Sequence, residues 1–162
     1  MTDAYMLWKT VHVVPATIVL GTGMGIAFFC WFGTRDALAR GDLGALRMVL
    51  HFTVRADAIF TAPAVAVQLI TGVMLMTLAG WKFASPWALA SLGLFAFAGA
   101  CWLPVVWIQL QLARMADAAS RSDQLSARFG ILFRWWLILG ALAFPAVLCI
   151  VYLMVAKPLR VV

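Results

Sequence analysis

Charged residues divide this chain into four long apolar stretches. The charge-free runs cover residues 10–34, 58–81, 83–113 and 135–156. Each exceeds the roughly 20 residues that a membrane-spanning helix needs. The pattern predicts four transmembrane helices, at approximately residues 11–32, 58–79, 87–110 and 135–156. The predicted fold is therefore a single all-α membrane domain over residues 1–162, an antiparallel up-and-down four-helix bundle.

Two of the connections are predicted to be helical as well. Between the first and second spans, Leu46, Val49, Leu50 and Val54 recur at helical spacing, which indicates a lead-in helix that runs into the second span. Residues 111–119 likewise continue the third helix. The helices are thus expected to extend past the membrane on one side.

The composition excludes a water-soluble globular domain. Hydrophobic residues make up 65% of the chain and charged residues 11%, whereas soluble domains contain roughly 25% charged residues. The net charge of +6 comes from basic residues that flank the apolar runs. Basic residues are common at such positions, where they determine the membrane topology and contact anionic lipid headgroups. The expected partner is the lipid bilayer, with no binding of nucleic acid.

The cations also predict an orientation. One side carries eight arginines and the other carries Lys9, Lys82, Lys157 and Arg160. The positive-inside rule makes the arginine-rich side cytoplasmic. In a bacterium, both termini would then face the periplasm from the inner membrane, and the helical extensions would be cytoplasmic.

His12 is the candidate ligand for a cofactor. It lies just inside the first span, on a helical face shared with Ala16, Val19 and Gly23 that should point inward. A neutral imidazole at membrane depth can ligate a b-type haem. The alternative is that His12 only forms hydrogen bonds near the membrane interface. The candidate second ligands at comparable depth are Met74, Met76, Tyr152 and Met154, and the candidate partners for haem propionates are Lys9, Lys82, Lys157 and Arg160.

The second histidine belongs to a different region. Arg47, His51 and Arg55 form one basic stripe on the lead-in helix, and such a stripe is expected to contact lipid phosphates, or else a partner subunit or an anionic ligand. About 20 residues of helix, roughly 30 Å, separate His12 from that side, so the two histidines cannot bind one haem.

Polar residues of the second span suggest contacts between helices. Asp57 precedes the span and is expected to pair with a cation such as Arg134. Thr61, Gln68 and Thr71 share one broad helical face. Near mid-membrane, Gln68 should face protein, where hydrogen bonding between helices is its expected role.

Several segments carry a family resemblance. Residues 5–12, which include Trp8, Lys9 and His12, together with residues 59–72 and 152–158, resemble a bacterial family of four-helix integral membrane proteins of unknown function. The likeness covers nearly the whole chain. More distantly, the Trp-Lys-x-x-His opening and the Thr-x-Pro segment at Thr61 and Pro63 resemble the HemJ-type protoporphyrinogen oxidases. That resemblance implies haem b, with His12 as the first-helix ligand.

Three classes of function stay open at this point. The chain is expected to bind haem b or a porphyrin in a redox or haem-related role. The alternative is a non-catalytic accessory or scaffold subunit of a larger membrane complex or a homo-oligomer, and a small transporter is the third class. Whether the protein is an enzyme is left open.

Overall fold

The computed structural model describes residues 3–121 and 125–156. Within them the secondary structure is entirely helical, and the helices are α1 (Asp3–Ala39), α2 (Leu43–Ala56), α3 (Ala62–Leu78), α4 (Pro86–Ala118) and α5 (Ala127–Ala156). A π-helical turn, Asp57–Thr61, joins α2 to α3 in one continuous rod. Together with α1, α4 and α5, this rod makes four helices that are long and apolar enough to cross a membrane. The predicted four-helix membrane bundle is confirmed.

The helix ends are set by glycines and a capping aspartate. Gly41 follows α1 and Gly80 follows α3, both with positive φ angles, 65° and 67°, which a residue without Cβ adopts at little cost. In each case the next residue's N–H bonds back to the helix, as in a Schellman motif. The side chain of Asp42 then accepts a hydrogen bond from the Ala45 N–H at 2.9 Å and begins α2.

The densest packing lies at the α2 end of the bundle. The most extensive helix–helix contacts are those of α4 with α5, followed by α1 with α3 and with α2. The core joins α1, α2, α4 and α5, and Leu46, Leu50 and Leu112 are almost completely buried in it. The predicted lead-in helix is therefore confirmed as α2, and it closes this end of the bundle. Toward the opposite end, a cavity lies between the two helix pairs, α1 with α3 and α4 with α5.

The π-helical turn has a local cause. Pro63 cannot donate a backbone hydrogen bond, and its ring crowds the carbonyl of residue 59. The preceding turn is widened, and the Ala62 N–H bonds to the carbonyl of Asp57 five residues back. As a result, the side chains of Asp57 and Thr61 both lie inside the bundle, each only 6% exposed. Such turns are frequent at functional sites.

Candidate functional site

An elongated cavity of about 420 Å³ lies between the two helix pairs. Its lining runs from Ala16 to Ala27 on α1, from Asp57 to Gln68 on the π-helical turn and α3, from Phe95 to Gln109 on α4 and from Trp136 to Val151 on α5. Because neighbouring helices are antiparallel, one end is formed by Ala27, Asp57, Gln109 and Trp136, and the other by Ala16, Gln68, Phe95 and Val151. The first end abuts the packed core, to which Trp136 belongs; we call it the closed end.

The face of α1 that was expected to point inward does so. Ala16, Val19 and Gly23 all line the cavity. A Cβ added to Gly23 would lie 3.6 Å from the ring of Phe144 on α5, which is ordinary van der Waals contact. Small residues on this face therefore leave room for the cavity beside α1.

Asp57 is the acidic group of the closed end. Its carboxylate accepts a hydrogen bond from the Trp102 indole nitrogen at 3.3 Å, and the side chains of Gln109 and Thr61 also bond to it. The Thr61 hydroxyl oxygen also lies 3.1 Å from the Thr22 hydroxyl oxygen on α1. Five polar side chains are thus connected where three helices meet.

The expected pairing of Asp57 with a cation is wrong. Within residues 3–121 and 125–156, Asp36 pairs with Arg40 and the His51 imidazole contacts the Asp117 carboxylate, and Asp57 takes part in neither contact. Its partners on α4 are neutral donors. The π-helical turn explains the difference, because it directs the carboxylate inward, away from the basic residues at the edge of the span.

His12 forms a second polar cluster at the other end of the cavity. Its Nδ1 lies 2.8 Å from the Thr71 hydroxyl, and its Nε2 lies 3.0 Å from the amide nitrogen of Gln68. Because Thr71 donates to the Val67 carbonyl at 2.6 Å, its oxygen accepts from Nδ1–H, and Nε2 accepts from the Gln68 amide. Gly72 gives the ring room: a Cβ there would lie 3.4 Å from His12 Cε1. The predicted interhelical role of Gln68 is confirmed, and His12 is its partner.

The other described residues of the predicted haem site lie on α1, α3, α5 and the turn between α3 and α4. Tyr152 and Met154 are 63% and 37% exposed on α5, Met74 and Met76 are half-buried on α3, and Lys9 and Lys82 are exposed. His12 forms its hydrogen bonds with Thr71 and Gln68 and with no other described residue. Lys157 and Arg160 lie outside the described residues. Over the described parts of the chain, no three histidine, cysteine or acidic side chains cluster as a metal site would require.

The family of the chain follows from its comparison with family models. A model of predicted integral membrane proteins, DUF2269, matches residues 6–158. This chain belongs to the DUF2269 family. No curated protein and no solved structure matches it.

In this DUF2269 protein, two of the three residues of the basic stripe on α2 form hydrogen bonds with the end of α4. Arg47 donates to the carbonyl oxygens of Ala116 at 3.0 Å and Ala119 at 2.7 Å, where the end of α4 leaves carbonyls without helical partners. His51 Nε2 lies 3.0 Å from the Asp117 carboxylate. Arg55 lies 5.9 Å from the centre of the Phe52 ring. Arg47 and His51 thus fasten α2 to α4, and contact of the stripe with lipid phosphates stays a prediction.

Sequence reasoning missed two of the residues that build the site in this DUF2269 protein. Gln109 is 3% exposed, and Trp102 donates to Asp57. A glutamine inside an apolar run of α4 was a usable indication, because an amide at that depth needs a protein partner. The indole N–H of Trp102 carried no such indication, since tryptophan occurs at membrane interfaces for other reasons.

Proposed function

We propose that this protein binds an apolar, membrane-soluble molecule in the cavity between its four helices. The observation that carries the proposal is the cavity itself, whose volume of about 420 Å³ falls in the range of roughly 300–1,000 Å³ typical of small-molecule sites. Apolar walls with a few convergent polar groups are also typical of such sites. Here those groups are Asp57, Gln109 and Trp102.

The apolar side chains that line this space of about 420 Å³ lack packing partners on the side that faces it. An occupant from the membrane restores the lost dispersion contacts. Gln68 gives a second reason to expect a bound molecule, because its carbonyl oxygen is buried without a hydrogen-bond partner among the described residues.

The test is to fill the cavity from positions that tolerate a side chain. Gly99 and Gly140 line it, and a Cβ added to either meets no atom within 4 Å. Gly93 on α4 and Gly130 on α5 are equally unobstructed but do not line the cavity. Gly99→Leu and Gly140→Leu should therefore displace the bound molecule, while Gly93→Leu and Gly130→Leu should retain it.

The measurement uses protein excised from its own membrane in polymer-bounded nanodiscs. Organic extracts of each variant are analysed by mass spectrometry against extracts of the bulk membrane. A compound enriched with wild type and with the two control variants, and depleted from the two cavity variants, supports binding in the cavity. Absence of any enriched compound, or equal depletion from all four variants, refutes it.

A second candidate ligand is haem b or a porphyrin held by His12. It is favoured by the hydrogen bond from Nδ1–H to Thr71, because a ligating histidine typically donates its other ring N–H in this way. Nε2 is the nitrogen that would bind the iron, so the Gln68 amide that now bonds to it would have to give way. The iron's second ligand would come from Met74, Met76, Met154 or Tyr152, and Lys9 is a candidate for the propionates.

An absorption spectrum tests this candidate directly. If His12 is a ligand, the reduced protein shows a Soret band with α and β peaks that weaken in His12→Ala and persist in His51→Ala. Gln68→Ala should strengthen the bands, because it frees Nε2. A colourless wild-type protein that also fails to take up added haemin excludes haem ligation, and the cavity proposal is then judged on the glycine variants alone.

The proposed setting is the inner membrane of a bacterium, with both termini periplasmic. It rests on the excess of arginine on the side that carries α2. A reporter fused after Val162 should be active in the periplasm, and one placed near Ser120 in the cytoplasm. The reverse result in both fusions would overturn the orientation. Association with further copies or with a larger complex stays a prediction.

A further inference from the structure

The cavity is elongated. Its lining covers eleven residue steps on α1 and fifteen on α5, which at the helical rise is roughly 16 Å and roughly 22 Å. An extended hydrocarbon chain follows an elongated space of this kind along its whole length.

The polar groups are concentrated at one end of this space. Asp57, Gln109 and Trp102 lie at or near the closed end, beside the packed core. The walls beyond them are apolar and include Phe95 and Ile150. At the far end the polar residue is Gln68, whose amide nitrogen bonds to His12 and whose carbonyl oxygen has no hydrogen-bond partner among the described residues. A molecule that fits this distribution has one polar end and a long apolar tail.

The chemistry of the polar end follows from the partners of Asp57. The side chain is 6% exposed, and its described partners are an indole, an amide and a hydroxyl. No lysine, arginine or histidine of the described residues forms an ion pair with it. A buried carboxylate without a counter-ion is costly, and a ligand group that donates hydrogen bonds to it, above all a cationic one, lowers that cost.

We propose that the cavity binds a single-chain amphiphile whose hydrogen-bond-donating head, an amine or a hydroxyl, contacts Asp57 and whose hydrocarbon tail extends toward Phe95 and Ile150. This inference rests on the proposed function, because it names the class of molecule that the cavity holds. The tail has a lateral route into the site. Between α1 and α5 the lining includes Met24, which is 61% exposed, and the exposed Gly140, so the cavity opens sideways toward the surroundings of the bundle.

The test uses photo-crosslinking in lipid nanodiscs. The probe is a dodecylamine with a diazirine at the end of its tail, and the competitors are dodecylamine, dodecanol, dodecanoic acid and dodecane. Crosslinks are expected on peptides that contain Phe95 or Ile150. The amine and the alcohol should compete at concentrations at least about tenfold lower than the acid and the alkane, as expected from hydrogen bonds to a charged group.

Variants of Asp57 distinguish the two head groups. Asp57→Asn keeps an oxygen that accepts a hydrogen bond but removes the charge, so the amine should lose its advantage while the alcohol keeps its own. Asp57→Leu should abolish the difference among all four competitors. Should the Asp57 variants fail to fold, the competition series on wild-type protein still decides the matter.

The outcomes separate the ligand class from cavity binding. If crosslinking survives in Gly99→Leu as it does in Gly93→Leu, the probe is not in the cavity and the proposed amphiphile is overturned, while binding of another molecule in the cavity is judged on the mass-spectrometric comparison. If crosslinking is lost only in Gly99→Leu, cavity binding stands. In that case equal competition by acid and alkane, stronger competition by a porphyrin, or tail crosslinks near Trp136 would overturn the proposed amphiphile.

Discussion

The closest helix–helix approach at a described glycine gives a quantitative test of the packing. A Cβ placed on Gly33 of α1 would lie 2.8 Å from Val49 Cγ2 and 3.2 Å from Cγ1 on α2, whereas favourable carbon–carbon contacts begin at about 3.5 Å. Val49 is 4% exposed, and a helical valine has one strongly preferred rotamer. Both methyl groups are too close, so Gly33→Ala must push α1 and α2 apart.

The expected cost is that of overpacking a core, about 1–3 kcal/mol. It is partly offset by the higher helix propensity of alanine, up to about 1 kcal/mol. Gly25→Ala on the same helix measures that offset, because a Cβ at Gly25 meets no atom within 4 Å. We therefore expect Gly33→Ala to be about 1–3 kcal/mol less stable than Gly25→Ala.

A double-mutant cycle with Val49→Ala isolates the contact. Val49→Ala alone removes two buried methyl groups and should cost about 1.6 kcal/mol. In the double variant the new methyl group at position 33 occupies the vacated space, so the two changes should be less harmful together than their sum. Reversible unfolding in mixed micelles, followed by far-UV circular dichroism, gives the free energies. Additivity within about 0.3 kcal/mol, or equal stabilities of the two alanine variants, would refute this packing of α1 on α2.

Three polar contacts, those of Arg47, His12 and Asp57, are tested by the same unfolding measurement. Arg47→Met should cost about 1.5–3 kcal/mol because carbonyls at the end of α4 lose a charged donor. Its control, Arg55→Met, removes a guanidinium that lies over an exposed aromatic ring and should cost about 0.5–1 kcal/mol. Equal losses of stability in the two variants would contradict the role of Arg47. His12→Ala should cost about 1–3 kcal/mol because the Gln68 amide is left without its partner, and no loss would mean that this interhelical bond contributes nothing. Asp57→Leu should be less stable than Asp57→Asn by about 1–3 kcal/mol, since leucine leaves the indole and amide donors of α4 without an acceptor; the opposite order would contradict the hydrogen-bonded carboxylate.

The spans and the lead-in helix were predictable for a simple physical reason. In a bilayer every backbone polar group must be bonded within its own segment, so a charge-free run long enough to cross can only be helical. The periodic apolar residues of α2 identified its packed face for a different reason. Apolar residues such as Leu46 and Leu50 lie on one face of α2, and charged residues such as Arg47 and Arg55 lie on another. This difference indicates which face of the helix packs against the bundle.

The candidate site was predictable only in part. The inward face of α1 and the interhelical role of Gln68 could be read from small and polar residues within apolar runs. The sequence placed His12 on the correct face but did not indicate that Gln68 and Thr71 would bond to its two nitrogens. It also paired Asp57 with the wrong type of partner, because the residue pattern does not reveal the π-helical turn before Pro63 that directs the carboxylate inward.

The amino-acid sequence by itself determined the helices, their number and the faces that carry polar side chains, because these depend on local hydrogen bonding and on the helical repeat. Only the tertiary structure decided which polar groups meet: His12 with Gln68, Asp57 with Trp102, Arg47 with the end of α4. The physical reason is that the surface of a membrane helix is apolar toward both lipid and protein, so hydrophobicity does not reveal the rotation and axial offset of neighbouring helices. The cavity depends on those offsets, and it therefore became visible only when the helices were packed together.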